Sequence, residues 1–193
     1  MKIFQTLYLR VFGWAQHQHA PRYLAALSFA ESSFFPIPPD VLLAPMVLAR
    51  PNKAWWYAML TSVASVLGGC LGYVLGVFLF DTVGEAIIEF YHAQAGFIMT
   101  QQWFGQYGTW IILIAGFTPL PYKLFTISAG LVGMPLLPFI AASVVGRGAR
   151  FFLVAGLIYW GGASLESFIR RYADRIGWGM VVLLVVIYFT VIA

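Results

Sequence analysis

Charge is the property that this sequence has least of. Charged residues make up 9% of its 193 positions, hydrophobic residues make up 61%, and the mean hydropathy is +0.84. Soluble domains carry about 25% charged residues, so this chain lacks the side chains for a water-facing surface. A chain of this length cannot hide so much apolar area inside one core. We therefore predict that lipid is the solvent for most of its surface.

Cysteine and metal-binding patterns are also scarce. The single cysteine, Cys70, excludes an intrachain disulfide, and no motif supports redox chemistry. His17, His19 and His92 have no carboxylate at the spacing of a metal site, so neither a metal nor another cofactor is predicted. The nucleophilic histidines and clustered aspartates of lipid phosphatases and phosphotransferases are missing as well. We expect that the protein is not an enzyme.

The net charge of +4 is spread along the chain without a basic run. Nucleic acid is therefore not an expected partner, and anionic lipid headgroups are the more natural one. No Lys or Arg occurs between Lys53 and Lys123. The basic residues outside this range are therefore expected on one side of the membrane, together with the N-terminus. By the positive-inside rule, that side is cytoplasmic. The basic residues on that side are Lys2, Arg10, Arg22, Arg50, Lys53, Arg170, Arg171 and Arg175.

Two proline motifs interrupt apolar segments at matching places, PIPPD at 36–40 and PLPYK at 119–123. The apolar pieces beside each motif are too short to cross about 30 Å of hydrocarbon. We predict two re-entrant hairpins, which are tolerated where protein buries the broken backbone. A kinked spanning helix is the alternative at the first motif. The breaks are assigned to Pro36, Pro38, Pro119 and Pro121.

A second internal similarity extends the repeat. Residues 54–80 carry no charge and begin with three aromatic residues, as expected of a spanning helix with a packing face of glycines. Its segment ASVLG at 64–68 resembles ASVVG at 142–146. Each half is then a broken hairpin followed by a spanning helix, and the single crossing between the hairpins makes the repeat inverted.

The predicted fold class is an all-α membrane protein: an inverted repeat of a re-entrant helical hairpin plus a transmembrane helix, with an extra C-terminal transmembrane helix. Three parts are predicted: an interfacial amphipathic helix at 1–20, a membrane domain at 21–175 and a transmembrane helix at 176–193. Within the membrane domain, repeat 1 is expected at about 21–80, an interfacial segment at 81–107 and repeat 2 at about 108–165.

Five charged residues fall at predicted membrane depth: Glu31, Asp40, Lys123, Arg147 and Arg150. Each costs about 2.5–3.5 kcal/mol at a helix centre unless it is paired or hydrated. The surplus of one positive charge favours a bound anion such as a phosphomonoester. Arg147 and Arg150 lie three residues apart on a helix, so both are candidates to grip phosphate oxygens. Alternatively, they pair with Glu31 and Asp40 and only hold the repeats together.

Two further roles are left open by the residues themselves. Asp40 and Lys123 occupy equivalent repeat positions, so a pseudo-two-fold axis would bring them together, as a static salt bridge rather than as ligands. Glu31 would carry a proton in exchange for a headgroup if its apolar helix favours the neutral form. Pairing with an arginine would instead keep Glu31 ionised.

The motifs resemble those of a known family. The segment ESSFFPIPPD at 31–40 is similar to the E-x-x-x-x-P-x-P-x-[DE] signature of the DedA family, also called the SNARE-associated or VTT-domain family. GFTPLPYK at 116–123 and SAG at 128–130 also fit. The resemblance covers about 23–163 and is greatest to the short YqaA-like branch.

The resemblance implies opposing re-entrant hairpins and movement of lipids across the bacterial inner membrane, with dependence on the proton gradient. Glu31 and Asp40 match the family's acidic pair. At the second break most relatives place arginines, where this chain has Phe117 and Lys123. The residues then predicted to hold a lipid phosphate are Lys123, Arg147 and Arg150.

The leading hypothesis is therefore an inner-membrane flippase for an anionic phospholipid or polyprenyl phosphate, with proton coupling left open. One alternative is a proton-coupled transporter of small ions or cationic drugs. Another is a membrane scaffold for envelope integrity that transports nothing. The sequence leaves the oligomeric state open, so a homo-oligomer is compatible with it.

Overall fold

The computed structural model describes residues 13–15, 17–33, 35, 37–79, 94–118 and 120–162, with backbone alone for 94–97 and 100. Within these ranges the chain forms helices and turns, and no strand. Several predictions concern residues outside them: most of the helix at 1–20, residues 81–93 of the interfacial segment, the C-terminal helix at 176–193, and the side chains of Pro36, His92 and Pro119.

The described helices are numbered here in chain order. They are α1 Ala20–Ser33, α2 Asp40–Ala49, α3 Ala54–Leu79, α4 Gln94–Phe117, α5 Tyr122–Leu131 and α6 Leu136–Gly162. A 3₁₀ turn at Pro51–Lys53 joins α2 to α3.

Two of these helical stretches are long and apolar enough to cross a bilayer. They are Pro51–Leu79, which includes α3, and Leu136–Gly162, which is α6. At 1.5 Å per residue each exceeds the roughly 30 Å of a hydrocarbon core. The prediction of an all-helical membrane protein is confirmed at this level.

Helix α4 continues without a break through residue 108, where the second repeat was expected to begin.

Both proline motifs fall between helices. Helix α1 ends at Ser33 and α2 begins at Asp40, directly after Pro39. In the same way α4 ends at Phe117, and α5 begins after Pro121. Proline restricts the preceding residue and has no N–H to donate, so a helix ends before it and a new one starts after it. The described residues of the first break are non-helical, which excludes a single kinked helix there.

Helices α3 and α6 pack side by side in opposite directions. At the start of α3, the ring centroid of Trp55 lies 6.1 Å from that of Phe152 and 6.2 Å from that of Trp160, near the end of α6. At the other end of α3, the Tyr73 ring lies 5.1 Å from the ring of Phe139, near the start of α6. These contacts make the two long helices antiparallel.

Among the described residues, the core consists of two clusters that interlock the halves of the chain. In the first cluster α2 packs with α6 and with the beginnings of α1 and α3. In the second cluster α5 packs with α4, the beginning of α6 and the later part of α3. The short helix after each break therefore packs against the long helix of the other half. The first cluster includes Leu24, Leu43, Met46, Val47, Tyr57, Phe151 and Ala155. The second includes Ile112, Ala115, Tyr122, Ala129, Met134 and Phe139.

Glycines allow two close helix contacts at matching positions of the repeat. A Cβ atom at Gly68 of α3 would overlap the backbone carbonyl of Phe29 in α1. A Cβ atom at Gly146 of α6 would lie 2.6 Å from the backbone oxygen of Leu113 in α4. Small residues at such contacts let helix backbones approach closely. The predicted glycine packing face of α3 thus contacts α1 at Gly68 and α5 at Gly76.

A pair of substitutions in α6 tests this contact. We expect Gly146→Ala to lower the thermal unfolding temperature of the detergent-purified protein, because overpacking against a fixed carbonyl costs about 1–3 kcal/mol. Gly148→Ala is the matched control, since no atom lies within 4 Å of its Cβ position. Alanine there raises helix propensity, so this variant should unfold at an unchanged or higher temperature. Equal unfolding temperatures for the two variants would contradict the close approach.

Candidate functional site

A buried guanidinium lies between the two halves. Arg147 of α6 is 1% exposed. Its Nη2 atom donates to Glu31 Oε2 and, at 3.1 Å, to Ser32 Oγ, both on α1. Its Nε atom donates to Ser65 Oγ on α3. A buried charge is tolerated when it is paired and hydrogen-bonded, and this arrangement meets both conditions with partners from two other helices.

Two aromatic rings lie beside the same guanidinium. The Cζ atom of Arg147 is 4.8 Å from the ring centroid of Tyr122 and 4.8 Å from that of Phe151. Cation–π attraction at this distance is stronger where water is excluded. The Tyr122 hydroxyl donates to Ser143 Oγ, which in turn donates to the Phe139 carbonyl at 2.7 Å. The ring of Tyr122 is thereby held in orientation beside Arg147.

A second ion pair joins the two helix breaks. Arg150 Nη2 donates to Asp40 Oδ2 at 2.7 Å, and Asp40 is the first residue of α2. Arg150 Nη1 donates at 2.9 Å to the carbonyl of Thr118, which directly follows α4. One guanidinium therefore contacts both breaks. This pair is more accessible than the first, since the side chains of Arg150 and Asp40 are 17% and 27% exposed.

Lys123 also reaches from one break to the other. It lies in the first turn of α5, and its Nζ atom donates to the carbonyl of Phe35 in the first break at 3.4 Å. The expected salt bridge between Asp40 and Lys123 does not form between these described residues. Asp40 pairs with Arg150 because α2 packs against α6, which places the first residue of α2 beside that arginine.

The five charged residues predicted at membrane depth, called the charged region here, comprise two ion pairs and Lys123, which contacts the first break. Glu31 pairs with Arg147 and Asp40 with Arg150, as the alternative interpretation of the arginines required. The charges of these two pairs cancel, and the charge of Lys123 remains. Whether the region holds a phosphate or a proton stays a prediction. Among the described residues, no three His, Cys, Asp or Glu side chains lie close enough to hold a metal ion.

Comparison with known proteins identifies the family. Residues 37–160 match the model of the VTT domain. The chain belongs to the VTT-domain family. The resemblance to the DedA, or SNARE-associated, proteins is thereby confirmed, while membership of the YqaA-like branch stays a prediction.

Two relatives in this family match almost the whole chain. An uncharacterized protein of Haemophilus influenzae is 43% identical over 189 residues, which cover 98% of each chain. An uncharacterized protein of Histophilus somni is 40% identical over 188 residues, 97% of this chain and 98% of the relative. No solved structure matches the chain.

Sequence reasoning missed the polar and aromatic residues that surround the arginines. One signal was present, because the repeated segments ASVLG and ASVVG each contain one serine, Ser65 and Ser143. In the folded protein the first accepts a hydrogen bond from Arg147 and the second from Tyr122. Polar residues in apolar helices commonly bond across helices. The missed residues are Ser32, Ser65, Thr118, Tyr122, Ser143 and Phe151.

Removing one member of the buried pair should destabilise the protein more than removing both. We expect Glu31→Gln to lower stability strongly, because breaking a buried ion pair costs about 3–5 kcal/mol and leaves the charge of Arg147 without its counter-ion. The double variant Glu31→Gln with Arg147→Met removes both charges and should recover part of this loss. Thermal unfolding in detergent measures both. A double variant less stable than Glu31→Gln would contradict the assignment of a buried pair.

Proposed function

We propose that this VTT-domain protein is a flippase that moves an anionic phospholipid or a polyprenyl phosphate across the bacterial inner membrane. The observation that carries the proposal is the meeting of two helix breaks at partly exposed cationic groups. Arg150 bonds to Asp40 directly after the first break and to Thr118 in the second, and Lys123, in the first turn of α5, contacts a carbonyl of the first break. Broken helices that meet at charged groups within apolar surroundings are typical of transporter sites.

The proposed architecture is an inverted repeat of two re-entrant hairpins. Helices α3 and α6, which follow the two breaks and share the repeated ASVxG segment, run antiparallel. The short helices α2 and α5 pack reciprocally on α6 and α3. A pseudo-two-fold axis in the membrane plane would relate such halves. Rocking of one half against the other would then expose the charged region to each leaflet in turn.

The charge of the region suits an anionic headgroup. Two of its three cations are paired with carboxylates, which leaves one net positive charge. Helices α2 and α5 both begin at the breaks, where the N-terminal end of a helix carries partial positive charge. A lipid phosphate would complement these charges, whereas a cationic solute would be repelled by them.

The proposed flippase would be a multi-pass inner-membrane protein that carries out no covalent chemistry. The distribution of Lys and Arg supports a multi-pass protein with its N-terminus in the cytoplasm. Lipid would cross the bilayer without any covalent bond being made or broken, so the protein would not be an enzyme. Its partners would then be membrane lipids.

A membrane scaffold is the second candidate, and one observation favours it. The pair of Arg147 and Glu31 is almost fully buried, with 1% and 14% of the two side chains exposed. A carboxylate and two hydroxyl groups already accept hydrogen bonds from this guanidinium. In a scaffold, Arg150 and Asp40 would have the same purely structural role.

Transport across proteoliposomes distinguishes the two candidates. We expect the wild-type chain to move fluorescent phosphatidic acid between leaflets, and Arg150→Gln to slow this about tenfold or more, because a hydrogen bond to a charged group contributes about 1.5–3 kcal/mol. The charge swap Asp40→Arg with Arg150→Asp should keep the protein folded but inactive, since the cation then lies on the wrong helix. Gly148→Ala should transport at the wild-type rate, since among the described residues no atom beyond its own helix turn lies within 4 Å of its Cβ position.

Two outcomes would reject the flippase. One is the absence of lipid movement by the wild-type protein in vesicles where its insertion is verified. The other is that cells carrying the charge-swapped protein behave like wild-type cells, because a scaffold requires only that an ion pair be present at this place.

A further inference from the structure

We propose that Asp40 competes with the anionic ligand for Arg150, and that a phosphate group displaces the Asp40 carboxylate when it binds, with Lys123 as its second contact. In the ligand-free protein the carboxylate would occupy the position that phosphate oxygens take in the bound state. The inference rests on the proposed function and names the atoms that would receive the headgroup.

The carboxylate of Asp40 is incompletely bonded where it lies. Its Oδ2 atom accepts from Arg150 at 2.7 Å, but its buried Oδ1 atom has no hydrogen-bond partner among the described residues. In contrast, Glu31 Oε2 accepts from both Arg147 and Ser32. A buried charged oxygen without a donor is energetically unfavourable. A ligand that displaces the Asp40 carboxylate therefore breaks fewer hydrogen bonds than one that displaces the Glu31 carboxylate would.

Arg150 is positioned to accept a different anion. Its Nη1 atom stays bonded to the Thr118 carbonyl, so the guanidinium remains in place when Nη2 changes partner. Its side chain is 17% exposed, whereas that of Arg147 is 1% exposed. A guanidinium offers donors in a planar fork that suits phosphate oxygens. Lys123 reaches the first break and adds a positive charge there.

The displaced carboxylate has a favourable place to go. Asp40 is the first residue of α2, and the described residues just before it are non-helical. An acidic side chain at a helix N-terminus is stabilised by the helix dipole. Rotation away from Arg150 would therefore keep the carboxylate near the positive end of α2.

Competition with a carboxylate determines which phosphates bind well. The Asp40 carboxylate carries one negative charge, and a phosphodiester headgroup also carries one. A phosphomonoester carries roughly −1.5 to −2 near neutral pH and offers three acceptor oxygens. It therefore outcompetes the carboxylate where a phosphodiester does not. The ligand class is a phosphomonoester, such as phosphatidic acid or a polyprenyl phosphate.

Equilibrium binding to the purified full chain in neutral detergent tests the competition. Dioctanoyl phosphatidic acid is titrated calorimetrically into the wild type and into Asp40→Asn. We expect Asp40→Asn to bind about tenfold more tightly, because a competing state lowers apparent affinity by the fraction of protein it occupies. Asp40→Ala is a second variant without the carboxylate and should show the same direction. Lys123→Gln should bind more weakly than the wild type.

A charge-matched control separates local competition from long-range attraction. Asn52→Lys adds the same unit of positive charge at an exposed turn and should leave the affinity unchanged. Unchanged or weaker binding by both Asp40 variants would overturn the proposal. An equal gain in affinity from Asn52→Lys would overturn it as well.

Inorganic phosphate in a parallel titration identifies the source of the ligand. If Asp40→Asn raises the affinity for the lipid alone, the site is specific for lipid headgroups. If it raises the affinity for inorganic phosphate equally, the site binds phosphate groups in general. Both results support the competition. The measurement is independent of lipid movement, so a wild type that flips nothing rejects the flippase without affecting this binding result.

Discussion

The ion pair of Arg147 with Glu31 is the constraint on which the packing of both halves depends. Bringing a guanidinium into an apolar interior costs several kcal/mol, and the carboxylate, two serine hydroxyls and two aromatic rings offset this cost. These groups come from α1, α3, α5 and α6. None of the four helices can move far without exposing a charge to hydrocarbon or leaving it unpaired. A small polar cluster therefore specifies the arrangement of a largely apolar molecule.

Arg150 lies one helical turn further along α6 and has a different environment. Its partners lie beside the helix breaks, at the first residue of α2 and directly after α4, and both members of its ion pair are partly exposed. Breaks are the places where the backbone can change direction without disrupting a helix. Helix α6 thus carries one buried ion pair and one partly exposed ion pair, a single turn apart.

The interlocking of the halves explains how short helices persist in this setting. Helices α2 and α5 have ten residues each, too few to be stable alone. Each lies against the long helix of the opposite half, and the breaks beside them are covered by contacts of Arg150 and Lys123. Glycines on α3 and α6 let neighbouring helix backbones approach more closely than any side chain would allow. If the breaks lie within the bilayer, as the proposed re-entrant hairpins require, such cover is what makes broken backbone tolerable there.

Composition and the position of the prolines by themselves determined the membrane class and the positions of the breaks, because proline and charge act on the residues around them, and the resemblance of the motifs indicated the family. Only the tertiary structure decided which charges meet. The sequence placed Asp40 opposite Lys123 by repeat symmetry, whereas the packing of α2 on α6 gives Asp40 to Arg150. Helix packing also buries Arg147 and places the Ser65 hydroxyl where it accepts a hydrogen bond from this arginine. Pairing and burial depend on which helices touch, and that depends on contacts between residues far apart in the chain.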